Sequence, residues 1–143
     1  AKLTAFLNLA ENLPQIEKIA GRKCNGFASA SKIEKLGKYK ESVQNRYAIL
    51  NLKNDATIEF RIFAGIVDLE HIFRCLEFAA ATIEFAKQAS LERLRFSDFI
   101  DFLADAGKDA YPHLYKFYEM ATYKRNLLEL RHIQKRQLKL FSF

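Results

Sequence analysis

Two short runs constrain this chain more than any others. They are RYAILNL at residues 46–52 and TIEFRIF at residues 57–63. In each, apolar residues alternate with polar or charged ones, the period of a half-buried strand. Lys53, Asn54, Asp55 and Ala56 lie between them and suit a hairpin turn. The remaining periodic segments read as helix. The expected fold is therefore α+β, with one antiparallel β-hairpin packed on long helices.

Burial decides how the two strands pair. An odd loop sets Asn51 opposite Thr57, Ile49 opposite Glu59 and Tyr47 opposite Arg61. An even loop sets Leu50 opposite Glu59. The odd loop makes one apolar face from Ala48, Leu50, Leu52, Ile58, Phe60 and Ile62. Its other face collects Tyr47, Asn51, Thr57, Glu59 and Arg61. The even loop mixes the two sets, because a slip of one residue turns every side chain over. The odd register is expected. It places a carboxylate and a guanidinium on one face, two residues apart, just before Gly65. A lone hairpin is marginal and has unpaired edges, so further strands are expected from an N-terminal part or from another chain.

Residues 2–20 read as helix, with Leu3, Phe6, Leu7 and Ala10 on one face. Asn12 and Pro14 punctuate it, Pro14 starting a second short helix that Gly21 stops. Residues 21–45 are rich in Lys, Ser and Gly and read as a loop with little core material. Asp68 caps a helix over about 69–89. Its apolar face, Leu69, Ile72, Phe73, Leu76, Ala79, Ala80, Ile83 and Ala86, is broad enough to be sandwiched. Ser97 caps another helix, with Phe99, Ile100, Leu103 and Ala104 inside and Gly107 at its end. Pro112 opens a final helix over about 111–138.

Half of the 143 residues are apolar, and thirteen Phe and six Tyr provide bulk without any Trp. This is enough for one domain with a core and is not a disordered composition. The longest nearly apolar run is short and broken by charge, so no membrane span or membrane partner is expected. No secretory signal is visible, and Cys24 and Cys75 read as reduced thiols of a cytoplasmic protein. His71, His113 and His132 have no metal-ligand spacing. The chain begins at Ala1, and is expected to be processed or part of something longer.

The net charge of +6 is uneven. Residues 124–143 hold Lys124, Arg125, Arg131, Lys135, Arg136 and Lys139 against Glu129 alone, while residues 1–123 are nearly neutral. The chain thus divides into a body, 1–123, and a basic C-terminal helix or tail, 124–143. Arg131, Lys135 and Lys139 line one side of that helix. Two readings stand: a solvated face, or contact with nucleic-acid phosphates through residues 124–139. No interleaved aromatics support base stacking there.

Tyr47, Asn51, Leu52, Thr57, Glu59, Phe60, Arg61, Phe63 and Gly65 together resemble the amidoligases. These are ATP-dependent carboxylate–amine ligases on the glutamine-synthetase-like fold, common in bacteria and their phages. The family pattern is a strand ending in Asn-Leu, a turn, Thr-x-Glu-x-Arg-x-Phe, a Gly and a long helix. The resemblance covers about residues 40–118 and matches the closing, helix-rich C-terminal half of that fold. It implies that Glu59 is a ligand of Mg²⁺ near the phosphates of ATP. It implies that Arg61 clamps the phosphoryl group or acyl phosphate and that Asn51 orients substrate or a neighbour. Arg46 would add positive charge beside the nucleotide, and Thr57 belongs to the same nucleotide-facing pattern. Arg22, beside Gly21 and Lys23, is a further phosphate candidate. The substrates would be a small molecule or peptide carrying a carboxylate and an amine.

The chemistry suits these residue types. Phosphoryl transfer needs Mg²⁺ on the phosphates and a fixed cation on the developing charge. A guanidinium meets phosphate at two points. The family also carries a Glu-x-Glu strand in its N-terminal half, which this chain lacks, and it often has Gly-Thr where this chain has Gly65-Ile66. Two further readings stay open. Glu59 and Arg61 can be an ordinary ion pair on an exposed strand. The whole chain can be a non-catalytic interaction, inhibitor or structural protein of phage type, its basic helix facing nucleic acid or an acidic partner.

Overall fold

A computed structural model describes residues 1–33, 46–54, 56–65 and 67–120. Two short helices open the chain, α1 (Lys2–Asn8) and α2 (Leu13–Ala20). Pro14 lies in the first turn of α2, where its missing N–H costs nothing. Gly21 ends α2 in the left-handed region, φ 75°, and its N–H donates to the Glu17 carbonyl. A Cβ at this position would collide with the His71 imidazole. Gly21 is thus required both by its backbone angle and by the close approach of the following long helix.

The hairpin follows as β1 (Leu50–Asn51) and β2 (Glu59–Phe60), antiparallel. Next come α3 (Leu69–Gln88), α4 (Phe96–Ala106) and a helix whose described part is 112–120, here α5. Asp68 caps α3 as expected, its carboxylate accepting from His71 N at 3.1 Å. The fold is α+β and rich in helix.

The core is aromatic. Phe6, Phe78 and Phe99 are wholly buried. Phe6 and Phe99 have centroids 5.3 Å apart, and Phe78 meets Phe99 edge-on at 5.7 Å. Phe85 contacts both Phe6 and Phe99. Among the described residues three polar side chains are buried with it, Asn8, Asn12 and Thr82, and Asn12 makes the longest-range bonds. Asn12 Nδ2 donates to the carbonyls of Phe6 (2.9 Å) and Leu94 (2.8 Å), and its Oδ1 accepts from Phe96 N (2.8 Å). Burial of the amide is tolerable because each of these polar contacts is made. The result ties the α1–α2 corner to the start of α4.

The hairpin joins this body through Leu50 and Ile62, both buried. Phe63 meets Phe78 edge-on and carries Phe60 stacked on its other side. The Ala64 N–H donates to the Ala20 carbonyl at 2.9 Å, fixing the end of the hairpin to the end of α2.

Four expectations change. First, the strands are two residues each, not 46–52 and 57–63. Ser29 accepts from Ile49 N and donates to the Tyr47 carbonyl, while the Ile49 carbonyl still accepts from Arg61 N across the hairpin. The loop segment thereby covers one edge of the hairpin. Second, the loop is odd but the register is moved by two residues. Asn51 faces Glu59 and Leu50 faces Phe60. A slip of two keeps the faces, so Asn51, Glu59 and Arg61 still share one side. The apolar split fails at two places: Ile49 is buried and Ile58 is half exposed.

Third, α3 buries Cys75, Phe78, Ala81, Thr82, Phe85 and Ala86. Only Ala86 was expected on that side. The helix has two apolar stripes, and the bulkier aromatic one faces the core. Fourth, α4 starts one residue before Ser97, with Arg95 at the capping position, and Asp98 Oδ2 accepts from Arg95 N. The segments 34–45 and 121–143 lie outside the described residues, including the basic helix and the continuation of the last helix to 138. Among the described residues no helix is long and apolar enough to cross a membrane.

Candidate functional site

The exposed face of the hairpin gathers the residues named from sequence. Glu59 is its hub. Glu59 Oε2 accepts from Asn51 Nδ2 and Oε1 accepts from Arg61 Nη1, both at 2.8 Å. The cross-strand pairing of Asn51 with Glu59 makes the first contact possible, and the strand period of two makes the second. Asn51 Oδ1 also accepts from Lys53 N, so its amide is oriented from both ends.

Arg61 is held in four ways. Besides Glu59, its Nε donates to the Phe27 carbonyl at 3.3 Å. Its guanidinium carbon lies 6.0 Å from the centroid of the Tyr47 ring. Its own carbonyl accepts from Arg22 Nη2 at 2.8 Å. Arg46 stacks on Tyr47 as well, at 5.1 Å. Three guanidinium groups therefore belong to one neighbourhood around Glu59. The side chains of Arg61 and Glu59 remain 30% and 45% exposed, so solvent and ligands reach them.

Each expected residue has a definite place. Arg61, Asn51, Glu59 and Arg22 form one connected set, and Arg46 joins it through Tyr47. Thr57 is exposed in the loop between the strands, two residues before the pairing begins. Arg22 does not project as a lone phosphate ligand beside Gly21. It supports the backbone of Arg61. Sequence reading missed Phe27. This ring is 72% exposed, edge-on to Tyr47 at 6.3 Å, and its carbonyl orients Arg61. A single large apolar residue between Gly26 and Ala28, in a stretch otherwise poor in core material, was the available signal.

Glu59 is already engaged in this arrangement, although each of its carboxylate oxygens keeps a second lone pair. Both Glu59 oxygens already accept charge-assisted or amide hydrogen bonds. Among the described residues no group of three His, Cys, Asp or Glu side chains could hold a metal ion. Here Glu59 acts on Arg61: it neutralises part of its charge and fixes its plane.

The two thiols are quiet. Burial, together with the Glu17 carboxylate, pushes Cys24 up to about 11, and burial does the same to Cys75. Neither is poised as a nucleophile near neutral pH. No protein-family model matches the chain, and no curated protein or solved structure matches it.

Proposed function

We propose that the polar face of the hairpin is an anion clamp, and that the chain is a portion of an ATP-dependent carboxylate–amine ligase of the amidoligase kind. The clamp would receive a phosphate or carboxylate on Arg61, with Arg46 adding charge nearby. The observation that carries this reading is the shared hold of Asn51 and Arg61 on Glu59. An arginine whose plane is fixed by a carboxylate, a carbonyl and a ring is pre-organised for two-point contact with an oxyanion. Among the described residues, no hydrogen bond uses Arg61 Nη2, which leaves part of the fork for a ligand. In this reading Glu59 is a positioning residue and not a metal ligand. Carboxylates sufficient for Mg²⁺ would come from outside the described residues.

Titration calorimetry with ATP at low salt, with and without MgCl₂, tests the reading. Arg61→Ala is expected to weaken binding by about tenfold or more, the scale of a lost charge-assisted pair. Glu59→Gln is expected to weaken it a few-fold, equally in both buffers. A Glu59→Gln effect seen only with magnesium would restore the metal-ligand role. No ATP or pyrophosphate binding at any salt would overturn the clamp.

One observation favours a second reading. A carboxylate with both oxygens engaged, beside exposed Phe27 and Tyr47, also describes a protein-contact surface of a non-catalytic interaction protein. Retained fold with no ligand response in the same titrations would move the weight to it.

A further inference from the structure

The turn that carries Phe27 is tied down on both sides of that residue. Asn25 and Ala28 exchange backbone bonds, each 3.1 Å, and Asn25 Oδ1 accepts from Phe27 N at 2.9 Å. Ala28 is wholly buried, and the Phe27 carbonyl accepts from Arg61 Nε. Between these anchors the Phe27 ring stands in solvent, 72% exposed. The space beside it is open, since a Cβ on Gly26 would meet nothing within 4 Å. A solitary solvated ring needs no explanation. A ring that forgoes burial while its own N–H and carbonyl are both engaged does.

Its neighbours point to a chemistry. Tyr47 meets it edge-on at 6.3 Å and is itself 38% exposed. Arg46 and Arg61 lie against Tyr47, their guanidinium carbons 5.1 and 6.0 Å from its centroid. Flat apolar rings and fixed cations thus share one exposed face. Proteins hold single-stranded nucleic acid with this combination: bases stack on the rings, and phosphates meet the cations. A duplex fits less well, because its bases already stack on one another and present only their edges in the grooves. An acidic peptide would meet Arg46 and Arg61 but gives Phe27 nothing planar to stack on.

We propose that the face formed by Phe27, Tyr47, Arg46 and Arg61 binds single-stranded nucleic acid. One base stacks on the open side of Phe27. The adjoining phosphate lies on Arg61, and Arg46 adds charge along the strand. The inference rests on the anion clamp for the phosphate and adds a site for the base. It uses no residue of the basic tail.

Fluorescence anisotropy on the full chain at low salt tests it, with a labelled ten-nucleotide adenine strand and an abasic strand of equal length. Both carry the same phosphates, so any attraction from residues 124–139 acts on the two alike. The adenine strand should bind about tenfold more tightly, the scale of one stacked base. Phe27→Ala should remove that preference and Phe27→Trp should keep it. The ring is exposed, so both variants should keep the parent's urea midpoint. Equal affinity of the parent for the two strands overturns the inference, as does a preference that survives Phe27→Ala. A glutamate-rich ten-residue peptide that binds as tightly as the adenine strand, with the same dependence on Phe27, also overturns it and assigns the face to a protein partner. Pyrophosphate separates this failure from that of the clamp. If it binds and Arg61→Ala weakens it while the strands bind alike, the clamp stands and the base site falls. No binding of pyrophosphate or of either strand overturns both.

Discussion

The body and the hairpin end of this protein solve opposite problems. In the body, four phenylalanines and one asparagine exclude water, and every contact serves packing. At the hairpin end, arginines, a glutamate, an asparagine and two aromatic rings are held in fixed geometry while still open to solvent. The first arrangement stores stability and offers nothing to a ligand. The second keeps charged and polar groups within reach of solvent and adds little stability. Substitutions should therefore separate the two regions cleanly, and the size of each effect measures how real the division is.

The largest effect belongs to the body. Phe99 touches Phe6, Phe78, Phe85, Phe96 and Phe102. Phe99→Ala removes a fully buried ring and leaves a cavity that helices cannot close. A loss of about 3–5 kcal/mol is expected, read from urea unfolding. A loss below about 1 kcal/mol, the range of surface changes, would mean that the aromatic cluster is not the centre of the fold.

Asn12 comes next. Asn12→Ala strands the carbonyls of Phe6 and Leu94 and the N–H of Phe96 inside the body. A cost of about 2–3 kcal/mol is expected from these unsatisfied groups. Asn12→Asp should cost more at neutral pH, since it loses the two donated bonds and buries a charge. The measurement is again the unfolding midpoint, and equal stability of Asp and Ala would show that water reaches this corner.

The hairpin end should behave otherwise. Glu59→Gln keeps the acceptor for Asn51 and weakens the pair with Arg61. The pair is partly exposed, so its loss should cost less than about 1 kcal/mol. A cost as large as that of Asn12→Ala would erase the distinction between the two regions and make Glu59 a structural residue. Salt sharpens the same point, because screening should remove most of the difference between parent and variant.

How much of this could be read from sequence follows the same division. The helices with strong punctuation were legible: Pro14, Gly21, Asp68 and Gly107 act locally, and each stands where its own chemistry puts it. The shared face of Asn51, Glu59 and Arg61 was legible because a period of two survives a slip of two. The strand lengths were not, since Ser29 competes for the backbone of residues 47–49 and that competition is tertiary. The inner face of α3 was not legible either. Leu69, Phe73 and Leu76 make as good a stripe as Cys75, Phe78 and Phe85, and only the position of Phe6 and Phe99 decides between them. The partners of Glu59 were not legible either. Sequence places a carboxylate at the right spot but does not say that Asn51 and Arg61 each donate to one of its oxygens.

The smallest expected effect compares the regions through their thiols. Cys75 lies inside the body, its Sγ 3.8 Å from the Ile19 carbonyl, and Cys24 lies in the loop leading toward the hairpin. Both thiols are pushed up from 9.0 to about 11. Between these values the unfolded chain loses its thiol protons and the folded chain keeps them. Stability is thus fully present below pH 9 and falls as pH rises toward 11. Urea midpoints at pH 8 and pH 10.5 should show the fall, and Cys75→Ala should flatten it. Access distinguishes the two sites. A thiol reagent in excess at pH 8 should label half-buried Cys24 first, and Cys75 only as fast as α3 opens from the body. Simultaneous labelling would mean that the hairpin end and the body open together, as one cooperative unit.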